Sequence, residues 1–228
     1  MNWPAQDFFL DDPSVPTLRD SRPLGQGDVF RSGALVTGTR KKDGEAPQPR
    51  VASKMVIVAS SSCGLRKGAD SSVLDQIQVA PIMRLTSLAN RWKTKPPNPS
   101  EHLNVLPLPG LVSDVGEPLA ADLSRLGIAG SDTLEDRLAC VSLDGMIALK
   151  SRIASYFVRH SLPQQFLEQG ARAEWEELNL WEQWIERGCA APDFQTWLDE
   201  GNPRCPGNSR RATLVDYLTD LQFEIDSI

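Results

Sequence analysis

The apolar residues change period near Asp144, and that change limits the fold more than any other feature of the chain. Before it lie runs rich in β-branched residues. One covers residues 54–60, with Met55-Val56-Ile57-Val58-Ala59 at its centre; another covers 74–85 and contains Val79-Ala80-Pro81-Ile82. Such runs, bounded by Gly, Pro and Ser, read as strands. Gln26-Gly27-Asp28-Val29-Phe30 opens an earlier strand, and residues 103–108 and 138–143 read as two more. Residues 38–53 and 93–100, with their prolines and charges, read as exposed loops. After Asp144 the residues Ile147, Leu149, Ile153, Tyr156 and Phe157 fall on one helical stripe. Residues 161–163 end that helix, and Pro163 suits the first turn of a short one. Residues 171–187 give the clearest helix, with Trp175, Leu178, Trp181, Trp184 and Ile185 on one face and Gly188 placed to cap it. Helices at 192–200 and 213–226 complete the pattern. Strands first and helices later argue for an α+β fold: a small, mostly antiparallel barrel followed by a C-terminal helical region. The expected parts are an N-terminal arm (1–24), a barrel (25–143) and an acidic, Trp-rich helical region (144–228).

Composition bounds the setting. With 40% hydrophobic residues over 228 positions, the chain can bury a core. No apolar run reaches the ~20 residues that a membrane-spanning helix needs, and Met1 to Asp7 show neither a basic nor an apolar leader region. The four cysteines (Cys63, Cys140, Cys189, Cys205) have no framework spacing, so reduced thiols are expected. The expectation is a cytoplasmic protein without a membrane contact. The net charge of −6 is unevenly spread. Residues 1–103 hold 14 Lys/Arg against 10 Asp/Glu, whereas 104–228 hold 10 against 20. A basic front half suits nucleic acid; the acidic rear half suits a solvated surface, a screen for the front half, or a basic partner.

The candidate chemistry gathers at the end of the 54–60 strand. Ser60-Ser61-Ser62-Cys63 is followed by a polar loop containing Arg66 and Lys67. Cys63 as a nucleophile would need a base or a positive field; Arg66 and Lys67 are near in sequence, but His102 and His160 are far. The competing reading is a small buried residue at a strand end. No Cys/His spacing resembles a zinc module, and no glycine-rich phosphate loop is present, so no metal or cofactor is expected. Trp92, among Arg91, Lys93 and Lys95, could stack on a base. Trp175, Trp181 and Trp184 are either core or a surface for a protein partner or a homodimer.

These residues resemble the PemK/MazF-like toxins, small SH3-like barrels that cleave single-stranded RNA. The likeness rests on Gly27-Asp28-Val29-Phe30, a variable loop, an apolar strand ending in Ser, and Gln78-Val79-Ala80-Pro81-Ile82, and it covers about residues 25–110. A related prokaryotic group is more similar still, over about 25–162. Its strand-end Ser-x-Ser/Thr-Cys motif matches Ser60-Ser61-Ser62-Cys63, its strand motif matches Val79-Ala80-Pro81, its Leu-Pro-Pro strand end matches Leu106-Pro107-Leu108-Pro109, and its helix matches Arg152 to Arg159. Members of that group look like cytoplasmic accessory proteins of mobile-element or phage-defence loci. In such a barrel, Lys41, Lys42, Lys54, Arg66 and Lys67 would flank one groove and meet single-stranded RNA or another nucleic acid.

The chain departs from the toxin pattern where catalysis matters. The toxins carry an Arg-Pro pair where this chain has Ser53-Lys54-Met55, with Arg50 upstream. They carry Ser or Thr where it has Met83, with Thr86 further on. The related group has Asp where this chain has Gly64. Three expectations follow. The first is a non-catalytic or degenerate PemK-like barrel that serves as a binding or assembly component. The second is a metal-independent endoribonuclease that uses Arg50 or Lys54 as its cation and Ser60, Ser62 or Thr86 as polar groups, screened by its acidic tail. The third is a hydrolase or transferase that depends on Cys63.

Overall fold

A computed structural model of the protein describes residues 8–11, 22–39, 48–67, 72–87, 90, 104–158 and 164–227. In chain order the strands are β1 (Val29–Thr39), β2 (Gln48–Val58), β3 (Arg66–Lys67), β4 (Ser72–Val73), β5 (Gln76–Arg84), β6 (Val105–Val112), β7 (Pro118–Asp122), β8 (Gly127–Gly130) and β9 (Glu135–Ala139). The helices are α1 (Leu143–Val158), α2 (Gln164–Glu186), α3 (Ala191–Asp199) and α4 (Leu218–Asp226). The fold is α+β, with the helices after the strands.

Four antiparallel strands close a barrel. β1 pairs β2 with Val29 opposite Ile57; β2 pairs β5 with Ile57 opposite Ala80. β5 pairs β8 with Ile77 opposite Ala129, and β8 returns to β1 with Ala129 opposite Leu35. β9 continues along the first half of β1. Beyond the barrel, the end of β5 pairs β7, and β7 pairs β6. The barrel wall is apolar on both sides. Phe30, Val56, Val58, Leu65, Ile77 and Val79 fill the interior. The alternate residues Val29, Ile57, Ala80 and Ile82 face outward, where Met146, Leu149, Ala171 and Leu178 of α1 and α2 cover them. A third cluster joins the helices to one another: Trp181 stacks on Phe194 at 5.4 Å between ring centroids, and Leu198, Leu214, Leu221 and Ile225 surround them.

Several expected boundaries move. Residues 48–53, expected as loop, are the first half of β2, because pairing with Val36 to Thr39 overrides the unfavourable Pro49 at the hairpin end. The strand expected at 138–143 ends at Ala139, and α1 begins at Leu143. The short helix and the 171–187 helix are a single 23-residue helix that runs through Gly170. β7 and β8 were not expected: Ala120, Ala121 and Ala129 have weak strand preference, and burial between neighbouring strands decides their conformation. The N-terminal arm contains an anchor. Phe8 and Phe9 are buried edge to face against each other, and Phe9 bridges to Val141.

That anchor makes one glycine obligatory. A Cβ on Gly145 would lie 2.2 Å from the Phe8 carbonyl oxygen. Gly170, in the exposed part of α2, would meet nothing within 4 Å. Alanine ordinarily favours a helix by about 0.5–1 kcal/mol over glycine. Gly170→Ala is therefore expected to gain that amount, whereas Gly145→Ala loses about 2 kcal/mol through overpacking. Urea unfolding of the two variants beside the wild type measures both signs.

Candidate functional site

The Ser-rich strand end is hydrogen-bonded into the fold, and Ser62 is buried there. Ser60 Oγ accepts the Gln78 N–H at 2.8 Å. Ser62 is 4% exposed, and its Oγ accepts the Gln26 N–H at 2.8 Å. The Gln26 Nε2 donates to the Ala59 carbonyl at 2.7 Å. The Ser62 N–H donates to the Glu174 carboxylate of α2, whose other oxygen takes the Lys150 ammonium of α1. One acidic residue of the helical region thus ties both long helices to this turn. Leu178 leans on it as well, close above Gly25.

Among the expected site residues whose side chains are described, Lys54 does not meet Ser60 and Ser62. Lys54 lies on β2 opposite Gly33 and is half-buried. Six residues of extended chain, about 20 Å, separate it from Ser60. The backbone of Cys63 lies in the short helical turn Ser62–Leu65, that of Arg66 and Lys67 in β3, and that of Arg50 opposite Thr37 in β1; the side chains of these four lie outside the description. Lys41, Lys42 and Trp92 fall outside the described residues. Thr86 is exposed beyond the end of β5. Trp181 and Trp184, expected as partner contacts or core, are core: they are 3% and 6% exposed, and the Trp184 Nε1 donates to the Ala190 carbonyl at 2.9 Å. Trp175 is half-buried against the barrel-facing cluster. None of the three presents an open indole face.

Beside this strand end runs a second buried polar network. Asp28 accepts the Gly25 N–H at 2.9 Å and faces Arg137 of β9 at 3.5 Å. Arg137 donates to the Arg22 carbonyl at 2.6 Å. The Arg22 guanidinium is buried and reaches Asn179 at 2.8 Å and Glu182 at 2.9 Å, both on α2. Cys140 adjoins this network. Burial pushes its thiol pKa far up, and the Asp28 carboxylate pushes the same way against the weaker pull of Arg137 and Arg22. Such a thiol is inert rather than nucleophilic. Among the described residues, no three His, Cys, Asp or Glu side chains come together in a way that could hold a metal ion.

Among the described residues a recess lies at the other end of β5. An open cleft of about 380 Å³ is lined by Met55, Ile82, Met83, Arg84, Ser87, Ser113, Asp114 and Leu119. Its position follows from the pairing: Arg84 is opposite Leu119, and the β2–β5 register that sets Val56 against Pro81 brings Met55 to Ile82. Met55, Ile82 and Leu119 share one face of the sheet and form the floor; Met83, next to Ile82 on β5, turns to the other face and packs with Val105 and Ala120. The rim comes from Ser87 and from the turn between β6 and β7, where Gly116 takes a φ of +77° and its N–H donates to the Ser113 carbonyl. Arg84 pairs with Glu117 at 3.3 Å, half-exposed on both sides. In sequence, Asp114 is an isolated carboxylate and Met83 a departure from the toxin pattern. The signal that could have joined them is the Val112 to Pro118 segment, a tight turn that folds back beside β5.

A comparison with known protein families finds no family model that matches the chain, and no curated protein matches it either. No helix among the described residues is long and apolar enough to cross a membrane.

The buried thiol gives a direct test. Cys140 is expected to resist iodoacetamide at pH 8 in the folded protein and to react once the chain is unfolded, as mass spectrometry would show. The unfolded thiol ionises near its ordinary value of 9.0, while the folded one stays neutral well above that. The unfolded state therefore binds fewer protons above pH 9, and folding stability falls as pH rises through that range. A Cys140→Ala variant should lack that part of the alkaline slope. Equal alkylation of native and unfolded wild type would contradict the burial.

Proposed function

We propose that this chain is a non-catalytic, PemK/MazF-like barrel that binds a protein partner. It would serve as a binding or assembly component of a prokaryotic cytoplasmic system of the phage-defence or mobile-element kind. The closed antiparallel barrel is compatible with that family's architecture. The observation that carries the reading is what stands at the positions where the toxin pattern has its catalytic residues. The toxin pattern places an Arg-Pro pair at the Ser53-Lys54-Met55 stretch and a Ser or Thr at Met83. RNA cleavage needs a base for the 2′-hydroxyl and a cation for the developing phosphorane charge. Here Met55 and Met83 stand at those places, and a thioether supplies neither. Lys54 neighbours Met55 along β2, so it faces the opposite side of the strand. Ser87 and Ser113 have no histidine among the lining residues to activate them. What remains is a ligand-sized recess with an apolar floor and a polar rim, the usual makeup of a binding site.

One observation favours a second reading, the endoribonuclease screened by its tail: Glu174 of the acidic region occupies the Ser62 N–H at the strand end. Removing residues after about 160 is a poor test, because Ala171 and Leu178 belong to the same core as Ile57 and Ala80. Removing both partners of the contact is better, since losing only one would leave a largely buried charge unpaired. Full-length wild type and a Glu174→Ala/Lys150→Ala variant, both checked for folding by circular dichroism, would be incubated with mixed-sequence single-stranded RNA on a denaturing gel. Neither is expected to cleave above background. Cleavage by the double variant alone would replace the first reading with the second. Multiple-turnover cleavage by the wild type would discard the non-catalytic reading outright.

A further inference from the structure

We propose that Phe8–Leu10 is a detachable strap, and that the groove it fills takes the same segment from a second copy of this chain, giving an exchanged dimer. The inference goes beyond the reading of the barrel and does not depend on it.

The groove is built as a site for an extended peptide. It lies along the turn between β9 and α1. The Leu10 N–H donates to the Cys140 carbonyl and the Ser142 N–H donates to the Phe8 carbonyl, both at 2.9 Å. Phe9 and Val141 thereby form a one-residue antiparallel bridge. Main-chain pairing beside side-chain pockets is how folded domains take up extended peptides. The two rings fill the apolar part: Phe8 and Phe9 are each 1% exposed and share a cluster with Val141, Met146 and Leu149. Gly145, in the first turn of α1, leaves the room that the Phe8 carbonyl needs. These contacts recognise a Phe-Phe pair and its backbone, whichever copy supplies them.

The hold on the strap is local. Positions 12–21 separate it from Arg22, which is fixed on α2 by Asn179 and Glu182; extended chain of that length reaches about 35 Å. Burying two rings and forming two hydrogen bonds favours docking. Fixing residues 8–11 in one conformation opposes it by a comparable amount. The strap therefore opens more readily than the barrel does. An open strap on one copy and an empty groove on another offer each other the contacts that each has lost, and exchange of an identical element is a direct route to a dimer. Within one copy the tethered strap competes at an effective concentration on the order of millimolar, so the dilute wild type is a monomer.

Two full-length variants separate the strap from the groove. Phe8→Ala/Phe9→Ala keeps the groove and loses the rings. Gly145→Ala keeps the strap and blocks the groove, since its Cβ meets the Phe8 carbonyl. By analytical ultracentrifugation at about 200 µM, each variant alone is expected to be a monomer and their equimolar mixture a 1:1 dimer, because neither has a working strap of its own to compete. Fluorescence anisotropy gives a second readout. A fluorescein-labelled peptide of residues 5–12 is expected to bind the Phe8→Ala/Phe9→Ala variant about tenfold or more tightly than the wild type, whose own strap competes. Three outcomes overturn the inference. The mixture stays monomeric although circular dichroism shows both variants folded; the peptide fails to prefer the Phe8→Ala/Phe9→Ala variant; or that variant does not fold, because a segment that the fold cannot lose is no exchangeable strap. If Gly145→Ala alone does not fold, the peptide comparison decides.

Discussion

A barrel wall that is apolar on both sides must be covered on both sides, and that requirement organises the molecule. Val56, Val58 and Val79 turn inward and fill the barrel, while Ile57, Ala80 and Ile82 turn outward on the same strands. In water the outer face would be a sticky patch. Met146 and Leu149 of α1 and Ala171 and Leu178 of α2 lie over it, and each large side chain buried there contributes about 1.5–3 kcal/mol. Phe8 and Phe9 close the remaining edge. The barrel and the two long helices therefore share one core.

The polar groups trapped at that seam decide how the helices sit. Glu174 reaches the Ser62 N–H and Lys150, and Arg22 reaches Asn179 and Glu182. Apolar packing alone tolerates sliding and rotation. A buried carboxylate or guanidinium does not, because a displaced helix would strand it without a partner. These contacts add little net stability, but they make neighbouring arrangements costly. The strand end with the most conspicuous sequence is thus spent on architecture.

Much of this was readable from residues, and the exceptions have physical causes. The uninterrupted apolar runs at Met55 to Ala59 and Val79 to Ile82 revealed the strands because β-branched residues fit a pleated wall. The Trp175, Leu178 and Trp181 stripe revealed a helix because its spacing matches 3.6 residues per turn. β7 and β8 were hidden, since alanine and glycine announce no strand and only their neighbours impose one. The site was less legible. Ser62 looks catalytic in sequence, yet its burial under Glu174 depends on a residue 112 positions away. Met83 and Asp114 look unrelated in sequence, yet the return of β7 along β5 sets them on one cleft. Single residues carried local conformation well; long-range pairings carried the site, and no local pattern encodes them.

The closure of the barrel has a consequence for how the chain reaches this state. Leu35 of β1 finds Ala129 of β8 only after some ninety intervening residues have been made and placed. Contacts that distant in sequence form late, because their loop-closure entropy must be met first. During synthesis β1, β2 and β5 emerge as a curled, open sheet with Val56, Val58 and Val79 uncovered inside and Ile57 and Ala80 uncovered outside. Phe8 and Phe9 wait for Val141, some 130 residues later, before they dock. Until β8 closes the inside and α1 and α2 cover the outside, such a sheet is exposed on both faces, the state in which an unfinished fold associates with other chains.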